Sequence, residues 1–170
     1  MLFYNNTIHD FDLARWLSRD EVAEVHAFAT VTIRPEVAEY GDIVAGTVNL
    51  RFQGGAIGNV ESYVQCQYGY DVRTEIVGSK GTIITGYLQQ TAEVVLTSAG
   101  SRTDIVDHFL VRFADGYLHQ MRDFVQTILA DRAPKVDALD GRQAVAVAAA
   151  AERSYRENRV VAVQNRLRTQ

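Results

Sequence analysis

Between residues 42 and 52 the chain alternates: Val44, Val48, Leu50 and Phe52 share one side, and Ala45, Thr47, Asn49 and Arg51 the other. Successive side chains of a strand point to opposite faces, so this run predicts a half-buried β-strand. Runs at 24–33, 56–66, 71–78, 82–88 and 91–97 read as further strands. Gln53-Gly54-Gly55 supplies a tight turn into the second hairpin arm, and Gly78-Ser79-Lys80-Gly81 another. An antiparallel meander is the natural outcome. Around it the period changes from two to 3.6. His9, Leu13, Trp16 and Leu17 fall at i, i+4, i+7 and i+8, one stripe of a helix that stops near Ser18 to Asp20. That stripe places His9 on the apolar face, and Thr7 with Asp10 three residues on resembles a capping box. Tyr117, Leu118, Met121, Phe124, Val125, Ile128 and Leu129 predict a second helix with a core-facing stripe, ended before Pro134. A third, alanine-rich helix runs from about Asp140 to Asn158, and residues 160–163 form a last strand.

Composition narrows the class. The 170 residues are 47% hydrophobic with two prolines, enough to bury one core, and read as a single α+β domain over 1–170. The net charge of −4 and the absence of any basic run exclude nucleic acid and an anionic membrane as partners. One cysteine, Cys66, makes no internal disulfide, and the longest apolar run, 144–151, is too short to span a bilayer, so a cytoplasmic protein is expected. The third strand carries Asn59, Glu61, Tyr63 and Gln65 on one face, beside Thr47, Asn49 and Arg51 of the second. That polar face is either solvent-exposed or a surface for a homo-oligomer.

Candidate chemistry is sparse. A dinucleotide needs a glycine-rich turn from strand to helix; the glycines at 54–58 join two strands and those at 78–81 precede a strand. His26, His108 and His119 are scattered, and no metal-ligand cluster occurs. The one dense cluster is Asn5, His9, Asp10, Asp12 and Arg15. Asn5 and His9 stand at i, i+4, so on a continuous helix their side chains hydrogen-bond. His9 is then either a general acid or base, or a core histidine satisfied by the backbone.

The segments TIHDFDLARWL (7–17), YGYDVRTEIVGSKGTI (68–83) and the two closing helices together resemble the C-terminal domain of the glucose–fructose oxidoreductase and inositol dehydrogenase family, most of all its inositol 2-dehydrogenase branch. The resemblance implies an open, mostly antiparallel sheet with helices packed on one face, a domain that binds substrate and builds oligomers. It implies that His9 accepts the substrate hydroxyl proton, with Asn5 where the family has an aspartate, and that Asp10, Tyr68, Tyr70, Asp71, Arg73 and Tyr117 lie at a polyol or sugar site. It also implies NAD or NADP for a full-length parent, bound by an N-terminal Rossmann domain together with the family's lysine. This chain carries no such domain and only Lys80 and Lys135. By that reading Met1 falls where the Rossmann domain has ended, no cofactor is held by this chain, and the chain alone is catalytically silent.

Overall fold

A computed structural model describes residues 2–86 and 89–164; the end of the strand expected over 82–88 lies outside the described residues. The chain divides into two compact units, Met1–Gln65 with Lys135–Gln170, and Cys66–Pro134.

The first unit is built on a four-stranded antiparallel sheet. Strands β1 (Val22–Thr30), β2 (Ala45–Phe52), β3 (Ile57–Tyr63) and a short β8 (Val161–Ala162) lie in the order β3-β2-β1-β8. The β2 alternation is as expected: Val48, Leu50 and Phe52 are buried while Asn49 and Arg51 are exposed. Helices α1 (Leu2–Asn5), α2 (Thr7–Ser18) and α5 (Ala138–Glu157) cover the apolar face. Phe3, Phe11, Val25, Val48, Val147, Ala148, Ala151 and Val161 form the core between them. The alanines of α5 let its backbone approach β1 closely, and one polar group survives the approach. The Ser154 hydroxyl accepts from the Ala27 amide at 3.0 Å, where two-residue β8 is too short to pair it, and donates to the Arg159 carbonyl. Gly46 is needed where the Phe3 ring crosses the sheet, since a Cβ there would lie 3.1 Å from that ring. The outer face is polar, as read from the sequence: Glu24 pairs with Arg51 at 2.7 Å, and the Asn59 amide donates to both Thr47 and Asn49.

Two expectations fail at α2. No capping box forms at Thr7, because Asn6 is already helical (φ −105°, ψ −61°) and the Thr7 hydroxyl is buried against the Leu2 carbonyl at 3.4 Å. The capping box in the chain belongs to α5, where Asp137 accepts from the Asp140 amide and Asp140 from the Asp137 amide. Nor is the His9–Leu13–Trp16 stripe the buried one: Thr7, Phe11 and Arg15 face the core, while His9 and Trp16 are exposed.

The second unit holds two separate hairpins, β4 (Thr74–Gly78) with β5 (Gly81–Thr85) and β6 (Val94–Thr97) with β7 (Gly100–Thr103). They are two-stranded ladders, not further strands of the four-stranded sheet. Helices α3 (Phe109–Arg112) and α4 (Ala114–Leu129) follow; the predicted helix is there, but its stripe is not core. Met121, Phe124 and Ile128 are about three-fifths exposed and only Thr127 is buried, because nothing in a unit of two short hairpins covers the stripe. His108, noted in the sequence as preceding a helix, caps α3 by accepting from the Leu110 amide.

Candidate functional site

In the first unit, α2 and the start of α5 border an open pocket of about 730 Å³ whose wall includes His9, Leu13, Trp16, Arg19 and Lys135. The floor is held by Arg15. Its guanidinium, 7% exposed, donates from Nε and Nη2 to the two Glu21 oxygens at 2.8 Å each. From Nη1 it donates to Asp12 at 2.9 Å and to the Asp140 carbonyl at 3.2 Å. The Glu21 hydrogen bonds raise the Arg15 pKa against the opposing pull of burial, so the cation persists. One arginine thereby ties the end of α2, the residue before β1 and the first turn of α5 together.

His9 stands exposed on the pocket wall, and its ring makes no hydrogen bond among the described residues, which removes the core-histidine reading. The expected Asn5–His9 bond is absent too. Asn6, helical in its backbone angles, is the single residue between α1 and α2, and the Asn5 amide donates to its Oδ1 at 2.9 Å instead. Asp10 is not part of the pocket wall; burial raises its carboxyl pKa above the ordinary value, with the neighbouring His9 opposing.

In the second unit the structure brings together three of the five residues assigned there. The Tyr68 hydroxyl donates to Asp71 at 2.6 Å, and Arg73 grips the same carboxylate with Nε at 2.8 Å and Nη2 at 2.9 Å. The Asp71 hydrogen bond, with Cys66 adding to it, pushes the Tyr68 phenol far above the tyrosine range. Burial acts to raise Asp71, but Tyr68 and Arg73 outweigh it and hold the carboxyl below its usual value. The triad is therefore intact from the ordinary aspartate range, about pH 4, up past about pH 10, and is lost only as pH falls below the first or climbs well above the second. Replacing Asp71 with asparagine is expected to return one tyrosine to an ordinary ionisation near pH 10, read from the absorbance of tyrosinate. An unchanged titration would mean that the carboxylate does not hold the phenol. Tyr70 plays another part: its amide donates to the Val106 carbonyl at 2.7 Å and its ring packs edge-on to Phe113. Tyr117 lies half-exposed on α4.

Sequence reading missed Trp16, Arg19 and Lys135 as pocket walls. A signal was available for Arg19: it follows the last turn of α2 at φ 53°, where glycine or asparagine is the usual residue.

Neither the β2–β3 glycine turn nor the α5 N-terminus offers free amides to a dinucleotide phosphate. The Gly54 amide, in the β2–β3 turn, donates at 2.7 Å to the Asp20 carboxylate, a turn already filled by an anion of the chain itself. The α5 N-terminus is likewise taken by Asp137. Among the described residues no three His, Cys, Asp or Glu side chains group to hold a metal, and no helix is long and apolar enough to cross a membrane.

Residues 1–163 match the model of the oxidoreductase family C-terminal alpha/beta domain, the glucose–fructose oxidoreductase/inositol dehydrogenase (Gfo/Idh/MocA) type. The chain is 35% identical over 164 residues to myo-inositol 2-dehydrogenase of Thermotoga maritima, covering 96% of this chain and 49% of that protein. It is 31% identical over 155 residues to scyllo-inositol 2-dehydrogenase (NAD(+)) of Bacillus subtilis, covering 91% and 45%. The fold superposes with a TM-score of 0.91 on the crystal structure of scyllo-inositol dehydrogenase from Lactobacillus casei with bound NAD(H) and scyllo-inositol, at 26% identity, covering 96% of this chain and 48% of that one. The chain thus spans about half the length of the relatives it matches. With a four-stranded antiparallel sheet, helices on one face and a family match from end to end of the described core, the chain belongs to the Gfo/Idh/MocA oxidoreductases as a C-terminal alpha/beta domain.

Proposed function

We propose that the chain is the substrate half of an inositol 2-dehydrogenase-like, NAD- or NADP-dependent oxidoreductase of the cytoplasm, and that His9 accepts the proton of a polyol hydroxyl. The observation that carries this reading is His9 itself, an imidazole without a hydrogen-bond partner among the described residues, on the wall of a pocket large enough for a small ligand. The names of the relatives supply the polyol. As the C–H bond beside the hydroxyl breaks, the O–H proton passes to the free imidazole nitrogen of His9, while the hydride acceptor is held by residues outside this chain. Tyr68, Asp71 and Arg73 present a hydroxyl, a carboxylate and a guanidinium suited to ring hydroxyls. Asp10, Tyr70 and Tyr117 are assigned to the site by the family resemblance alone. Self-association through the outer sheet face belongs to the same reading, supported by Phe28 and Tyr63 exposed among the polar rows of that face.

The test is to join this chain to the complementary half of the Thermotoga maritima relative. The hybrid is expected to reduce NAD with myo-inositol, and the chain alone to give no NADH. Turnover by the chain alone would overturn the division of labour. A working hybrid that sediments as a single chain would remove the assembly role.

A further inference from the structure

The pocket beside His9 is wider than one ring needs, and its far end has a chemistry of its own. Trp16 stands seven residues after His9 on the same helix face, about 10 Å along the axis at 1.5 Å per residue, farther than a single six-membered ring reaches. Its indole is 71% exposed. Three residues later the Arg19 side chain makes no hydrogen bond or ion pair among the described residues; only its backbone amide is engaged, by the Arg15 carbonyl. The four acids of the wall, in contrast, are all engaged: Asp12 and Glu21 by Arg15, Asp20 by the amides of Glu21 and Gly54, Asp140 by the amide of Asp137. A guanidinium fork with free donors and an exposed indole face on one pocket wall, which Lys135 also lines, is a combination that recognises a hydroxylated ring by stacking and hydrogen bonding. Arg19 also holds its place in a left-handed conformation that glycine takes at no steric cost. The pocket volume is that of sites for ligands well beyond one ring.

We infer that Trp16 and Arg19 form a subsite for a second ring, so that the substrate class is a glycosylated polyol, a ring at His9 carrying a sugar that lies over Trp16. The inference rests on the reading of His9 as the hydroxyl-binding end. Both variants that test it leave the fold alone: Trp16 is a surface side chain, and Arg19→Gly places the favoured residue at the left-handed helix end.

The experiment titrates the whole chain with galactosyl-myo-inositol and with myo-inositol. Calorimetry measures affinity, and the NMR signal of the His9 ring marks the near end of the pocket. Galactosyl-myo-inositol is expected to bind at least about tenfold more tightly than myo-inositol, and Trp16→Ala or Arg19→Gly to erase that advantage while leaving myo-inositol binding and the His9 shift as they were. The chain's single tryptophan adds a direct check, a fluorescence change with the two-ring ligand only. Equal affinity for the two ligands, or an advantage that survives both substitutions, overturns the second-ring subsite and leaves the polyol reading standing. If neither ligand binds or moves His9, both fall.

Discussion

Replacing Arg15 with methionine is expected to lower the stability of the first unit by about 2–3 kcal/mol, a fall in Tm of about 10–15 °C for a unit of this size. The side chain length is kept, so the loss is electrostatic. Without the guanidinium the Glu21 and Asp12 carboxylates lose their shared counter-charge and the Asp140 carbonyl its donor. A fully buried pair broken in this way costs about 3–5 kcal/mol; Glu21 and Asp12 keep a third or more of their surface in water, which lowers the figure. Arg15→Lys restores charge but not the two-pronged grip on Glu21, and is expected to fall between. The Arg15 pKa is raised, so its contribution is fully present at every pH below the ordinary arginine range and is lost only above it. The deficit of the methionine variant should accordingly be undiminished at mildly alkaline pH. Thermal unfolding followed by circular dichroism checks this, and a fall smaller than about 0.5 kcal/mol would place the network among surface ion pairs of no consequence.

That arginine also explains what the sequence concealed. Two stripes on α2 obey the helical period, His9–Leu13–Trp16 and Thr7–Phe11–Arg15. Hydropathy selects the first, since it ends in tryptophan and the second in a charge. Burial selects the second, because Arg15 is neutralised by Glu21 and by Asp140, a partner 125 residues away that no local pattern can announce. The error had a functional cost: a histidine on the face taken for core looks structural, whereas on the exposed face it is free to meet a ligand.

Strands were more legible. The turns at 53–55 and 78–81 and the alternation of β2 and β3 are local signals, and the structure follows them. β7 went unread, since Gly100–Thr103 has no apolar alternation and pairs only through its hairpin with β6. The α4 helix marks the opposite limit. Its period was correct, but a stripe states only that something apolar belongs there, and in this chain Phe124 and Ile128 remain uncovered. The Tyr68–Asp71–Arg73 triad was visible because it spans six residues; its partnering with Cys66 and its hold on the Tyr68 proton needed coordinates.

In the hybrid with the Thermotoga maritima half, His9→Ala is expected to lower kcat/KM for myo-inositol by about 10²–10⁴, the range for a positioned general base. Asn5→Asp then separates a catalytic His9 from one that merely lines the pocket. An asparagine amide is neutral and here bonds to Asn6, so Asn5 lends no charge to the imidazolium that forms when His9 takes the substrate proton. A carboxylate at the same position favours the charged ring, the form His9 takes on accepting the proton. The rate should therefore increase, by about tenfold or more if the carboxylate reaches the ring. That gain must vanish in the His9→Ala background, because the introduced carboxylate acts only through the imidazole. Initial rates of NADH formation across pH, for the two single variants and the double, decide the matter: an Asn5→Asp effect that persists without His9, or a His9→Ala enzyme at the wild-type rate, removes the imidazole from the chemistry.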